Sequence, residues 1–210
     1  MDDDASLLVA WRAGDATAGR ALVARHFPAV YRFFANKLGA DADDLVQQTF
    51  LAVVEGRDRV RDPAGFRAYL FGVARNRLMR HLRERGRFEG DTSVSDLQAS
   101  LLSVAEAMVQ RQQERLLLRS LRRLPLDLQI AIELAYFEGM TDREVAEILD
   151  MPVGTLKSRL RKARALLGDA IVALGESSAV AESTTAGIPG WVASIRAHFD
   201  HATARGATPG

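Results

Sequence analysis

Apolar residues recur along most of this chain at steps of three and four, the spacing of one face of a helix. Leu7, Leu8 and Trp11 begin the pattern, and Ala18, Leu22, Arg25 and Phe27 extend it. Pro28 is expected to mark a junction, after which Val30, Phe33, Phe34 and Leu38 carry the stripe to Gly39. The acidic stretch with Asp41, Asp43 and Asp44 predicts a new helix, because carboxylates favour the positive end of a helix. That helix holds Leu45, Val46, Phe50, Leu51, Val53 and Val54 and is expected to stop near Gly56. Gly56 to Gly65, with Pro63, reads as a polar turn, and one long amphipathic helix should run from Phe66 to about Arg85. Sustained period-two alternation is absent, so the expected fold class is all-α.

From Gly86 to about Ala99 the pattern breaks into a polar run with little to bury, which reads as a linker. Helical spacing resumes by Leu101 and passes through Leu116, Leu117, Leu118, Leu121 and Leu124 to Pro125. Three shorter helices follow, at roughly 127–138, 141–150 and 152–170. Beyond Gly175 the chain turns rich in Ala, Ser, Thr and Gly, then shows a short apolar stripe of Ile188, Trp191, Val192, Ile195 and Phe199. The expected division is a first helical domain over 1–86, a linker over 87–100, a second helical domain over 101–175 and an extension over 176–210.

Composition narrows the class without naming it. With 48% apolar and 26% charged residues over 210 positions, the chain has the balance of a globular protein. No apolar run reaches the ~18 residues of a membrane span, and the acidic start does not look like a secretory signal. Cysteine is absent, which excludes disulfides and thiolate metal sites and fits a reducing compartment. A cytoplasmic location is expected, with no membrane insertion.

The net charge of +1 hides an asymmetry. Residues 1–58 carry six basic side chains against nine acids. Residues 66–90 carry seven arginines against Glu84 and Glu89, and residues 151–168 carry five basic side chains and no acid. Two separate basic blocks suggest two places that meet a polyanion. On charge alone, two solvated helix faces would serve as well.

The strongest local signal spans Gly139 to Arg164. Gly139 suits the left-handed end of a helix, and Thr141 with Glu144 has the spacing of a capping box. Val145, Ile148 and Leu149 point one way, and Ala146 permits close approach of another helix. Pro152 is acceptable in a first helical turn. The last helix should bury Leu156, Leu160, Ala163 and Leu167, leaving Thr155, Lys157, Ser158, Arg159, Arg161 and Lys162 on its other side. Two helices joined by a short turn, the second basic outside, describe a helix-turn-helix whose second helix enters the major groove. In the helix over 66–85, Phe71, Ala74, Leu78 and Leu82 share one face, while Asn76, Arg80, Arg83 and Arg87 share another suited to a phosphate backbone.

Four motifs occur in order: Asp44-Leu-Val-Gln-Gln-Thr-Phe50, Phe66-Arg-Ala-Tyr-Leu-Phe-Gly-Val-Ala-Arg-Asn-Arg77, Leu124-Pro-Leu-Asp127 and Pro152-Val-Gly-Thr-Leu-Lys-Ser-Arg159. Their order and spacing, over about residues 5–172, resemble bacterial RNA polymerase sigma factors of the extracytoplasmic-function group. The resemblance implies an alternative sigma factor that binds core RNA polymerase, recognises −35 and −10 promoter elements and helps open the promoter. By position, Asp44, Leu45, Gln47, Gln48 and Phe50 match the stretch that docks on the clamp coiled coil. Gln48 stands where a Glu is common, which should weaken one charge interaction. The loop from Gly56 to Gly65 matches the loop that receives a flipped non-template base. It has Arg57, Arg59 and Arg61 but no aromatic, so polar capture is expected over stacking. Asn76, Arg80 and Arg83 match the helix lying along −10 DNA. Thr155, Lys157, Ser158, Arg159, Arg161 and Lys162 fall on the helix that reads the −35 element, in a domain that the family also seats on the polymerase flap. An anti-sigma factor is expected only by family habit.

Two rival readings are an autonomous helix-turn-helix regulator and a signalling adaptor that binds a regulator but no promoter. The first predicts tight duplex binding without polymerase, commonly through a dimer, and no dimerisation heptad is evident. The intact basic helix argues against the second. His198 and His201, three apart, lack a partnering motif, and the aspartates at 41, 43 and 44 are explained as a helix start, so neither metal nor cofactor is expected. No nucleophile-base pairing or phosphate-cradling loop appears, so no enzyme site is expected. Trp11, Phe27, Phe33 and Phe34 read as core. The extension over 176–210 departs from the family's plan, and a helix there is expected to dock on a sigma domain or a regulator.

Overall fold

A computed structural model of the 210-residue chain describes residues 3–85 and 112–174, with Ile188, Val192 and Ala193 of the extension. The described residues are helical and contain no strand. Helix α1 covers Asp4–Arg12, α2 Ala16–Leu38, α3 Ala42–Gly56 and α4 Phe66–Glu84. The second half gives α5 over Gln112–Leu121, α6 over Leu126–Ile132, α7 over Asp142–Ile148 and α8 over Val153–Ala173. The linker and most of the extension, with His198 and His201, lie outside the described residues.

The starts and stops follow local chemistry. Asp3 accepts from the Ser6 amide at 2.7 Å and Asp15 from the Thr17 amide at 2.8 Å, capping α1 and α2. Gly39 ends α2 and Gly139 precedes α7, both at positive φ where a Cβ would be strained. Thr141 and Glu144 form the expected reciprocal capping box.

Pro28 does not mark a junction; it sits inside one 23-residue helix. The acceptor that loses its N–H partner belongs to Ala24, which is exposed and can turn to water, so the helix continues. Phe27 is not core either. It is 38% exposed, with its ring stacked at 6.1 Å on Phe50 and 6.2 Å on Tyr31. The expected helix over 127–138 also resolves differently: α6 gives way after Ile132 to a π-helical turn over Glu133–Phe137, and the Glu138 amide donates to the Glu133 carbonyl at 3.0 Å.

In the first half, α1, α3 and α4 pack around α2 through Leu8, Leu22, Phe34, Phe66, Phe71 and Leu78, all buried. Gly19 lets α1 approach α2 closely: a Cβ there would lie 2.4 Å from the Trp11 indole. Asp4 ties α1 to α2 by meeting both Arg25 and His26 at 2.7 Å. Burial holds the His26 imidazole below its usual pKa, against the opposing pull of Asp4. In the second half, α8 packs on α5, α6 and α7 through Leu156, Ala163, Leu167 and Ile171. The two halves meet where α4 packs against α7 and where α2 faces the π turn. Ile188 and Val192 are helical and buried within the apolar core. Among the described residues no helix is long and apolar enough to cross a membrane.

Candidate nucleic-acid interface

Helix α8 presents its basic residues as the spacing demands. Leu156, Leu160 and Ala163 face inward, which turns Thr155, Lys157, Ser158, Arg161 and Lys162 to solvent. Lys157 stands 3.9 Å from Asp142, too far and too exposed to be held. Ser158 donates its hydroxyl proton to the Thr155 carbonyl at 2.8 Å, leaving its oxygen free to accept. Arg159 is less exposed than its neighbours and lies 3.6 Å from Asp127 at the start of α6, a solvent-screened pair. No side chain caps the start of α8, and Val153, Gly154 and Thr155 are exposed there, so the positive end of a 21-residue helix adjoins the basic face.

Asn76, Arg80 and Arg83 lie exposed along one side of α4. Arg80 pairs with Glu84 at 2.7 Å, a solvent-exposed i,i+4 contact, and Arg83 donates to the Met79 carbonyl at 3.1 Å. The Arg80 hydrogen bond holds the Glu84 carboxyl below its usual range. Arg87, the fourth residue of this face, is outside the described residues.

The loop before α4 consists of two 3-10 turns, Arg57–Arg59 and Pro63–Gly65, joined through buried Val60. Arg59 and Arg61 are exposed. Arg57 is partly buried: it donates to the Val54 carbonyl at 2.7 Å, and its guanidinium lies 5.5 Å from the Trp11 ring. The structure thus gives Arg57 a part in holding the loop. Sequence reasoning missed Arg12, whose guanidinium donates to the Arg57 carbonyl at 2.6 and 3.1 Å and also to the Val60 carbonyl. An arginine ending a helix reads as a favourable charge for the dipole, and nothing local signals a partner 45 residues away.

On α3 the expected polymerase-docking residues separate into two sets. Asp44 and Gln47 are exposed, and Gln48 is half-buried and donates to Asp44 at 2.8 Å. Leu45 and Phe50, at 2% and 8% exposure, belong to the core instead, because they lie on the face turned toward α2 and α4. The outer face runs Asp44, Gln47, Leu51, Val54, at helical spacing. Leu51 is 59% exposed and Val54 37%, and the partly exposed Phe27 stacks on Phe50 of the same helix. Exposed apolar residues grouped with acids and amides have the composition of an interaction surface. Sequence reasoning did not single out Leu51 and Val54, although they stand at helical spacing from Asp44 and Gln47.

Two family descriptions match the chain: Sigma-70 region 2 over residues 22–88 and Sigma-70, region 4 over residues 114–167, together more than half of it. The RNA polymerase sigma-H factor of Pseudomonas aeruginosa is 29% identical over 145 residues, 62% of this chain and 73% of that protein. The ECF RNA polymerase sigma-E factor of Haemophilus influenzae is 29% identical over 179 residues, 80% of this chain and 95% of that protein. Among solved structures, CnrH in complex with the cytosolic domain of CnrY is similar at a TM-score of 0.59 and 29% identity, over 82% of this chain and 99% of that one. The sigma factor RpoE in complex with the anti-sigma factor NepR from Bartonella quintana is similar at a TM-score of 0.56 and 26% identity, over 72% and 92%.

Proposed function

The chain belongs to the extracytoplasmic-function group of sigma-70 factors and is an alternative sigma factor for promoter recognition and initiation, not an autonomous regulator; from this we propose how its residues divide the work. Thr155, Lys157, Ser158, Arg161 and Lys162 read the −35 element: the cations bind phosphates and guanine edges, and Ser158 accepts or donates at a base or phosphate.

Asn76, Arg80 and Arg83 run along the −10 strand. Arg80 can exchange an exposed carboxylate partner for a phosphate at little cost, because the Glu84 pair is already solvated. Arg59 and Arg61, on the loop that Arg12 and Arg57 hold, supply polar contacts to an unstacked base.

Core RNA polymerase is the partner that brings the two DNA-binding surfaces to one promoter. The face with Asp44, Gln47, Leu51, Val54 and Phe27 docks on the clamp, with Leu45 and Phe50 fixing it from beneath. The similarity to RpoE bound to NepR supports an anti-sigma factor as a further partner. We take the protein to act in the cytoplasm as a subunit with no reaction of its own, and the extension over 176–210 to dock through Ile188 and Val192 on the body of the chain.

The observation that carries this reading is the exposure of five polar or basic side chains on a helix whose opposite face is wholly buried. The test is transcription in vitro with purified core polymerase on the promoter upstream of this chain's own gene. Transcripts should require both protein and core and fall with Lys157→Ala and Arg161→Ala. Tight duplex binding by the free protein without binding to core would overturn it.

A further inference from the structure

Three arginines line one polar cavity of about 320 Å³ where α1, α2 and α4 come together. Arg25, His26 and Arg32 come from α2 and Arg67 from α4, and the acids on the wall are Asp4 and Glu138. Each acid is already engaged. Asp4 meets Arg25 and His26, both at 2.7 Å, and Arg32 grips Glu138 at 2.9 and 3.1 Å. Arg67 is the exception: it donates to the Glu138 main-chain carbonyl, and among the described residues no carboxylate pairs with it. His26 and Arg32 are each only 6% exposed, so the wall includes charge fixed away from water as well as surface side chains.

We propose that this cavity binds the phosphate group of a small metabolite, of the class of diphosphates and nucleotides. Its three guanidiniums and two carboxylates leave one positive charge in excess, carried by Arg67. A guanidinium is a planar fork of donors that matches two oxygens of a phosphate, and the one bond of Arg67 to a carbonyl leaves further donors for a ligand. The volume lies at the lower end of small-molecule pockets, which begin at about 300 Å³. That suits a compact diphosphate or nucleotide. None of the residues assigned above to DNA or to core polymerase lines the cavity.

His26 makes the site responsive to its occupant. Burial lowers the pKa of the imidazole, Asp4 pulls the other way, and the charges of Arg67 and Arg25 add to the lowering. The Phe66 ring, 5.6 Å from the imidazole, is an apolar neighbour and brings no charge. A bound phosphate offsets the two guanidiniums. The imidazole then takes up a proton more readily and gives the site a second positive charge. Binding and proton uptake by His26 are linked, each favouring the other.

The experiment titrates the full-length free protein with pyrophosphate and with ADP, following heat by calorimetry and His26 by its imidazole NMR signals. Both probes should bind saturably, shift those signals in proportion to occupancy and raise the pH at which His26 titrates. Arg67→Gln should weaken binding by about tenfold or more, the effect of one lost charge-assisted contact, and Arg67→Lys should recover part of it. Ala29→Glu puts an acid on the cavity wall and removes no side-chain hydrogen bond. It should abolish binding, and it decides the matter if Arg67→Gln fails to fold. Lys157→Gln with Arg161→Gln should leave binding unchanged, because the basic face of α8 lies outside the cavity. A short single-stranded oligonucleotide of mixed sequence should shift the His26 signals no more tightly than pyrophosphate. Absence of saturable binding, binding that leaves the His26 signals unmoved, or binding indifferent to both cavity variants would overturn the site. So would loss of binding in the α8 pair, and tighter binding of the oligonucleotide would give the cavity to a DNA strand instead.

Discussion

The guanidinium of Arg12 holds the carbonyl of Arg57 through two hydrogen bonds, at 2.6 and 3.1 Å, and reaches the Val60 carbonyl as well. Helix α1 therefore sets the shape of the loop between α3 and α4, although it carries none of the residues assigned to DNA. Arg12→Ala leaves carbonyls in the loop without their donor, at a cost of about 1–3 kcal/mol. Faster amide exchange over residues 57–60 should follow, with a loss of promoter opening and unchanged binding of an isolated −35 duplex. Unchanged exchange there would show that the loop keeps its shape without α1.

The face of α3 separates docking from packing in a way two substitutions can read. Leu51→Ser touches an exposed side chain, so the melting temperature should stay within about a degree while binding to core polymerase weakens. Phe50→Ala empties a buried site and should destabilise the first half by about 3–5 kcal/mol. Equal loss of core affinity at equal stability in both would put Phe50 back in the contact.

On α8, Lys157→Ala and Arg161→Ala should each reduce promoter affinity. Removing a phosphate contact lowers the slope of log affinity against log salt by about 0.9, whereas removing a base contact relaxes preference at one position by about 1–3 kcal/mol. Measuring binding of the polymerase holoenzyme across salt and across single-base −35 variants assigns each residue. Arg159→Ala should show neither signature cleanly.

These assignments show where sequence reasoning reaches. Gly39, Gly139 and the Thr141–Glu144 box act within a few residues of themselves, so their positions were readable, and the inward set of Leu156, Leu160 and Ala163 follows from period alone. Pro28 misled because the cost of a helical proline depends on whether Ala24 can reach water, a property of the fold. Phe27, Leu51 and Val54 look like core in any one-dimensional pattern. The bonds of Arg32 to Glu138 and Lys37 to Glu133 cross 106 and 96 residues, and no local rule pairs them.

Acid should weaken the first half through His26. Burial lowers its pKa from the ordinary 6.5, so the folded state binds fewer protons than the unfolded one near that pH. The stabilisation is complete above the unfolded value and is lost as pH falls through the folded one. Thermal unfolding of wild type should thus decline more steeply below pH 6.5 than that of His26→Gln. Parallel pH profiles would remove His26 from the account.

Deleting residues 176–210 removes the buried Ile188 and Val192. Burying an aliphatic side chain is worth about 1.5–3 kcal/mol, so the truncated chain should melt several degrees lower and bind a hydrophobic dye. An unchanged melting temperature, with unchanged transcript yield and regulator response, would leave the extension without a role.

The π turn at Glu133–Phe137 amounts to one residue more than an α-helix needs to cover the same path. Relaxing the segment to α geometry at the same length would carry Glu138 about 140° around the helix from Glu133, whereas removing a single residue there, Ala135 for example, would leave the two glutamates four apart and on one face. Helix length counted in single residues thereby becomes a setting for how two modules are joined. A one-residue insertion at this point would turn the two glutamates to different faces, while a one-residue deletion would keep them on the same one.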